Sequence, residues 1–188
     1  MEIKVAIQGL VCRQIVRFIG FYSKAKSIYI RRGSIILSRT SIGIGSRING
    51  KISIRGQGRF KIGRYCALGD GVKVITQNHD TSCPIHSLNL QRKIYGKSFV
   101  IPRNVEIGDN VWVGDNAIFL PGSSVGNNSI VAAGAVVAGR FGHSVVLAGV
   151  PAKIIKKVDS PLSEEFWDKG IEEMQREIKS LEMKNAKL

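Results

Sequence analysis

A period of six residues constrains this chain more than any other feature. From Ile101 the sequence divides into the blocks IPRNVE, IGDNVW, VGDNAI, FLPGSS, VGNNSI, VAAGAV and VAGRFG. The first position is apolar in all seven blocks: Ile101, Ile107, Val113, Phe119, Val125, Val131 and Val137. The second is glycine or alanine in five of them (Gly108, Gly114, Gly126, Ala132, Ala138). The fifth runs Val105, Val111, Ala117, Ser123, Ser129, Ala135, Phe141, mostly small or β-branched. Upstream, Ile42, Ile48, Ile54, Phe60, Cys66 and Val72 follow six apart without a gap and read together as fifth-position residues. The 33 residues from Val72 to Val105 are not a multiple of six, so an insertion at about 76–100 breaks the phase.

A helix repeats at 3.6 residues and a strand at 2, so neither sustains a period of six. A coil with flat sides six residues long does. Each side points an aliphatic inward, and a small neighbour permits the corner. Stacked coils pair edge to edge about 4.8 Å apart, as parallel strands do. Such quasi-one-dimensional stacks need capped ends. At residues 8–24, Val11, Ile15, Phe18, Ile19 and Tyr22 share one helical face while Arg13, Arg17 and Lys24 share another. This predicts a basic amphipathic helix that packs on the first coil or lies on an anionic membrane. At the other end, Pro161 and Ser163 open a second predicted helix with Glu164 and Glu165 in its first turn. Trp167, Ile171, Met174, Ile178 and Leu181 form its apolar stripe. The expected organisation is a basic helical cap over 1–34, a β-helix over 35–158 and a C-terminal helix over 159–188.

Composition narrows the classes. With 44% apolar residues in 188 the chain can bury a core, which excludes wholesale disorder. No apolar run approaches the roughly 18 residues of a membrane span. Glu2, Lys4, Arg13 and Arg17 make the N-terminus a poor signal peptide. Three cysteines (Cys12, Cys66, Cys83), an odd number without a CxxC pair, argue for reduced thiols in a cytoplasmic protein. The net charge of +14 is uneven: residues 1–64 hold 14 Lys/Arg against Glu2 alone. That third of the chain suits an anionic partner, whether an acidic membrane surface or a phosphorylated substrate, and equally a solvated basic face. The aromatic-basic interleaving of single-strand nucleic-acid binders is missing, so no nucleic acid is expected.

Together with these blocks, the segments GDNVWVG, FLPGSSVGNNSIVAAGAVV and AGVPAKIIKKV resemble the hexapeptide-repeat acyltransferases, in particular the galactoside, maltose, xenobiotic and polysaccharide O-acetyltransferases. The likeness covers roughly residues 42–157. It implies an all-β fold, a left-handed parallel β-helix assembled as a homotrimer, with active sites between neighbouring subunits. It also implies acetyl-CoA as donor, a sugar or other small molecule as acceptor, and a general-base histidine from the interrupting loop. In TQNHDTSCPIHSLNLQRKIYGKSF that histidine is His79. The resemblance further implies Trp112 as the aromatic wall of the donor site, with the backbone at Asp115 and Ala133 along the pantetheine arm. Ala138 and Gly139 lie further on, where the family commonly has Thr-Lys, and Lys153 and Lys156 would meet the CoA phosphates. Arg140 is a candidate substitute for the missing cation.

The chemistry requires such a base. A hydroxyl is nearly unreactive toward a thioester until its proton is removed, and imidazole is the side chain tuned for that transfer at neutral pH. A backbone N–H would stabilise the oxyanion. No acyl-enzyme is needed, so Cys66 reads as core and Cys83 as ambiguous. His86 reads as exposed and His143 as structural. Three readings compete with sugar O-acetylation by a cytoplasmic enzyme beside the inner membrane. A γ-class carbonic anhydrase needs three zinc histidines, two of them close across a coil, and the chain has no HxxxxH pair; no metal is expected. N-acetylation of an amino sugar or xenobiotic uses the same machinery. A non-catalytic basic scaffold would not require His79 and Trp112.

Overall fold

The computed structural model describes residues 39–158 in full, the backbone of five short strands upstream, and Arg176, which is helical. Met1–Val158 form one compact unit and Asp159–Leu188 a second. Three sheets form the sides of the coil. Sheet A contains β1 (Glu2–Lys4), β6 (Thr40–Gly43), β9 (Phe60–Ile62), β14 (Val105–Ile107), β17 (Ser124–Val125) and β20 (Arg140–Phe141). Sheet B contains β2 (Val16–Arg17), β5 (Ile35–Ile36), β8 (Ile52–Arg55), β11 (Val72–Ile75), β16 (Ile118–Phe119) and β19 (Val136–Val137). Sheet C contains β3 (Phe21–Ser23), β4 (Ile28–Ile30), β7 (Arg47–Ile48), β10 (Ala67–Leu68), β15 (Trp112–Val113), β18 (Ile130–Val131), β21 (Val145–Ala148) and β22 (Lys153–Lys157). From β6 to β21 the chain winds A, C, B repeatedly and stacks its coils in parallel, which makes it a parallel β-solenoid. The insertion adds a hairpin, β12 (Gln77–His79) with β13 (Val100–Pro102), and a helix, α1 (Leu88–Tyr95).

Each side turns two residues inward, two apart in sequence as a strand's alternation requires. One ladder is Ile62, Leu68, Val74, Ile107, Val113, Phe119, Val125, Val131, Val137; the other is Phe60, Cys66, Val72, Val105, Val111, Ala117, Ser123, Ser129, Ala135, all buried. The register shows how the hexads run. Six residues separate successive inward positions on every passage from A to C (Ile62–Leu68, Ile107–Val113, Val125–Val131) and from C to B (Leu68–Val74, Val113–Phe119, Val131–Val137). The corner from B to A is different. It takes eight residues between Ile54 and Ile62, six between Phe119 and Val125, and four between Val137 and Phe141. The insertion leaves from this same corner, between β11 and β14. Length variation is therefore confined to one edge of the prism.

That edge corrects two expectations. The run Ile42 to Val72 is not one ladder: Ile42, Ile48 and Ile54 pair with Ile62, Leu68 and Val74, whereas Phe60, Cys66 and Val72 belong to the other ladder. The two extra residues at the corner, around Gly56 (φ +113) and Gly58, shift the phase by the spacing between the two inward positions. Ile101 is not in a coil. It lies on β13 and is 38% exposed.

The helix expected over 8–24 is also corrected. Val16–Arg17 and Phe21–Ser23 are strands, β2 and β3, that pair antiparallel with β5 and β4. With β1 antiparallel to β6, antiparallel strands finish all three sheets at the N-terminal end. An open parallel edge presents unpaired N–H and C=O groups. A segment rich in Ile, Val, Phe and Tyr fits a strand, and the hydrogen bonds on offer outweigh its helical periodicity. At the far end β22 closes sheet C antiparallel to β21. The helix expected over 159–188 lies outside the described residues apart from Arg176.

Candidate active site

The insertion is held by a residue that looks like a surface group in sequence. Gln91, on α1, is fully buried. Its Nε2 donates to the Ile85 carbonyl and its Oε1 accepts from Phe99 N–H at 2.7 Å, joining both flanks of the loop. Ser87 caps α1 by accepting from Leu90 N–H (3.4 Å), and Gly96 ends it at φ +69. Tyr95 meets Phe99 edge-on at 5.4 Å, and the Cys83 thiol is buried, donating to the Ile85 carbonyl at 3.6 Å. Gln91 thus organises the loop.

This frame presents His79 at the end of β12, opposite Val100 and exposed. Among the described residues no hydrogen bond is made by its ring. Asp80 beyond it accepts from the Ser82 hydroxyl and from Ser82 N–H (2.9 Å), and these bonds, the hydroxyl's first, hold its carboxyl below the usual aspartate range. His86 is exposed, and His143 Nδ1 accepts from Asn127 N–H at 3.0 Å, a structural role. Burial pushes the Cys66 thiol up to about 12, which removes it as a nucleophile.

Trp112 lies on the outward face of sheet C, 60% exposed, between Ala67 and Ile130 on the adjoining strands. Such exposure of an indole in the middle of a sheet marks a surface with something to cover it. Beside it, the corners of the prism carry ladders of side-chain caps. From A to C, Asp109 accepts from Arg64 N–H (2.7 Å), Asn127 from Asp109 N–H (2.9 Å), and His143 from Asn127 N–H. From C to B, Asp115 accepts from Asp70 N–H at 2.8 Å. There the ladder stops. The residue above Asp115 is Ala133, which has no acceptor to offer. The backbone N–H groups of Asp115 and Ala133 consequently have no partner among the described residues. Stacked one coil apart, these two donors line an open slot floored by Gly114, where a Cβ would stand 2.5 Å from Ala133 N. Acceptors such as amide carbonyls of an extended chain fit it.

Lys153 and Lys156 are exposed on β22, three strands from Trp112 in sheet C, or roughly 14 Å at the usual strand spacing. Trp112, Asp115, Ala133 and the lysines therefore gather along sheet C and its edge with B. Ala138 and Gly139 do not join them. They sit at the corner from B to A, where the Gly139 carbonyl accepts from Ser124 N–H at 3.1 Å. The hairpin bearing His79 also roots at that corner, the vertex opposite sheet C in a three-sided coil. Among the described residues no three His, Cys, Asp or Glu side chains gather as metal ligands. Sequence reasoning missed the broken cap ladder, although its signal, Asp70 and Asp115 against Ala133, is printed in the chain.

Comparison with known proteins agrees with the repeat and the fold. Residues 104–139 match the bacterial transferase hexapeptide family (six repeats). A Lysinibacillus sphaericus protein named "Probable macrolide acetyltransferase" is 30% identical over 128 residues, which cover 60% of this chain and 71% of that protein. Galactoside O-acetyltransferase of Escherichia coli is 33% identical over 92 residues, 49% of this chain and 44% of that one. A solved structure of galactoside acetyltransferase in complex with coenzyme A superposes with a TM-score of 0.50 at 25% identity, covering 64% of this chain and 58% of that one. The chain spans about half the length of most of the curated relatives it matches. With the solenoid, its hexads and these likenesses in agreement, the chain belongs to the hexapeptide-repeat transferase family.

Proposed function

We propose that the chain is an acetyl-CoA-dependent O-acetyltransferase acting on a hydroxyl of a sugar or polysaccharide precursor. The observation that carries the reading is the pair of unpartnered N–H donors at Asp115 and Ala133, beside the exposed indole of Trp112. They suit the amide carbonyls of a pantetheine arm whose thioester end lies at Trp112 and whose phosphates reach toward Lys153 and Lys156. Transfer is direct. A ring nitrogen of His79 takes the proton of the acceptor hydroxyl as its oxygen bonds to the thioester carbon. The carbon–sulfur bond then breaks, and the departing thiolate takes the proton back from the imidazolium. A backbone N–H stabilises the oxyanion in between.

His79 and Trp112 belong to opposite sides of a three-sided coil, so a site containing both needs two copies of the chain. We infer a homotrimer of left-handed β-helices with its sites in the clefts between copies. The middle of the outward ladder of sheet C, Ala67, Trp112, Ile130 and Val146 between Arg47 and Lys156, supports this by its apolar character beside the polar Ser41, Lys61, Glu106, Ser124 and Arg140 of sheet A. Work on precursors beside an anionic cytoplasmic membrane suits the excess of 14 Lys/Arg over one acid in residues 1–64.

The test is calorimetric titration of acetyl-CoA into the purified chain, followed by acceptor screening. Saturable binding weakened by Trp112→Ala is expected. So is a fall of about 10²–10⁴-fold in turnover for His79→Ala with donor binding intact. No binding of acetyl-CoA, or heat that disappears at modest salt, refutes the donor site and leaves a basic scaffold.

A further inference from the structure

The corner from B to A also holds a cleft of about 300 Å³ whose walls include Arg103, Asn104, Glu106, Gly122, Ser124 and Arg140. Arg103 is anchored at the foot of the His79 hairpin: its backbone N–H donates to the Thr76 carbonyl at 2.9 Å, one step before β12 pairs with β13. Its side-chain stem lies over Gly122, which has φ +86 and where a Cβ would stand 3.3 Å from Arg103 Cδ. Glycine suits that left-handed backbone. Glu106, Ser124 and Arg140 are outward neighbours on β14, β17 and β20, one strand spacing apart. Asn104 Oδ1 accepts from Arg59 N–H at 3.0 Å, so its amide nitrogen remains as a donor. Among the described residues, neither the two guanidiniums nor the Glu106 carboxylate takes part in a hydrogen bond or ion pair.

Two arginines that line one concave wall, without a partner among the described residues, fit a phosphate, whose oxygens take guanidinium N–H groups in pairs. A single carboxylate and a hydroxyl beside them fit sugar hydroxyls. The distance to the chemistry is set by the hairpin. Thr76 to His79 is three residues of extended chain, about 10 Å. A phosphorylated sugar, or one carried on a pyrophosphate, can span that gap while presenting a hydroxyl to His79.

We infer that this cleft is a phosphate subsite for the acceptor, with Arg103 and Arg140 gripping a phosphate or pyrophosphate and Glu106 and Ser124 receiving the sugar. The word acceptor rests on the acetyltransferase reading; the arginine grip does not. The phosphates of the donor are the other source of the same chemistry. In the proposed trimer the lysines that would meet them come from sheet C of the neighbouring copy, and competition by coenzyme A distinguishes the two sources.

The test is calorimetry on the full chain with inorganic pyrophosphate and with glucose 1-phosphate, each alone and in the presence of saturating coenzyme A. Both probes should bind, glucose should not, and coenzyme A should leave the affinities unchanged. Arg103→Gln and Arg140→Gln should each weaken both probes by about tenfold, Arg103→Lys less, with unchanged melting temperatures because both side chains are exposed. Equal affinity in wild type and both Gln variants overturns the site. Displacement of pyrophosphate by coenzyme A, whether or not dephospho-coenzyme A also displaces it, overturns the acceptor assignment and gives the cleft to the donor. Arginine-dependent binding of pyrophosphate in a chain that binds no coenzyme A overturns the transferase reading while upholding the phosphate site.

Discussion

Replacing Ala133 by aspartate should make the protein more stable and less able to bind its donor. The ladder of caps from C to B ends because Ala133 has no acceptor for the Asp115 N–H, whereas Asp115 itself caps Asp70 at 2.8 Å. An aspartate at 133 can repeat that geometry one coil further along. A carboxylate that accepts an otherwise unpaired backbone N–H in such a cap contributes about 0.5–2 kcal/mol. At roughly 2–4 °C per kcal/mol for a chain of this size, the melting temperature should rise by a few degrees. The same change consumes one of the two donors of the slot and turns a carboxylate toward the amide carbonyl of the pantetheine arm. Losing one hydrogen bond to a bound carbonyl costs about 0.5–1.5 kcal/mol, and carboxylate oxygens facing the carbonyl oxygen add to it, so affinity for acetyl-CoA should fall by roughly tenfold. Differential scanning calorimetry and titration calorimetry read the two effects on one preparation. Acetyl-CoA binding equal to wild type in Ala133→Asp would falsify the assignment of the slot. A melting temperature that drops, with binding also lost, would mean that the corner cannot take the cap and that the ladder argument is wrong.

Gln91→Leu should strand the Ile85 carbonyl and the Phe99 N–H at about 1–3 kcal/mol each. The damage should stay in the insertion, giving faster hydrogen exchange over 80–100 with little change in the main melting transition. Cys66 keeps its proton in the fold until about 12, while an unfolded thiol loses it near 9.0. Between those values the unfolded state alone is ionised, so stability falls as pH rises above 9, by up to about 1.4 kcal/mol per unit from this group. Denaturant midpoints at pH 8 and 10.5 should therefore converge toward those of Cys66→Ala as pH rises, and parallel curves would contradict the burial of the thiol. Phe119→Ala empties a fully buried position of the inward ladder and should cost about 3–5 kcal/mol by denaturant unfolding.

The amino-acid sequence determined the coil itself. An apolar residue at every sixth position with glycine or alanine beside it, as at Val113-Gly114 and Val131-Ala132, admits one backbone path, because inward direction and corner recur at fixed local spacing. It also marked the insertion by the broken phase, and it made Cys66 a core residue. His79 and Trp112 came from family likeness laid on that frame. What only the tertiary structure decided are the features that depend on partners distant in the chain. Val16–Arg17 and Phe21–Ser23 carry a helical stripe yet form strands, since the open edges of sheets B and C offer hydrogen bonds that a helix cannot supply to them. Gln91 reads as a surface residue until the loop closes and buries it between Ile85 and Phe99. Asp115 and Ala133 are 18 residues apart, and only the stacking of their coils shows that one lacks a cap for the other. The restriction of every change in coil length to the edge between B and A likewise appears only once the register is known. A repeat is local physics and is written in the chain, whereas a cap, an edge and an unpaired donor are defined by what stands in the next coil.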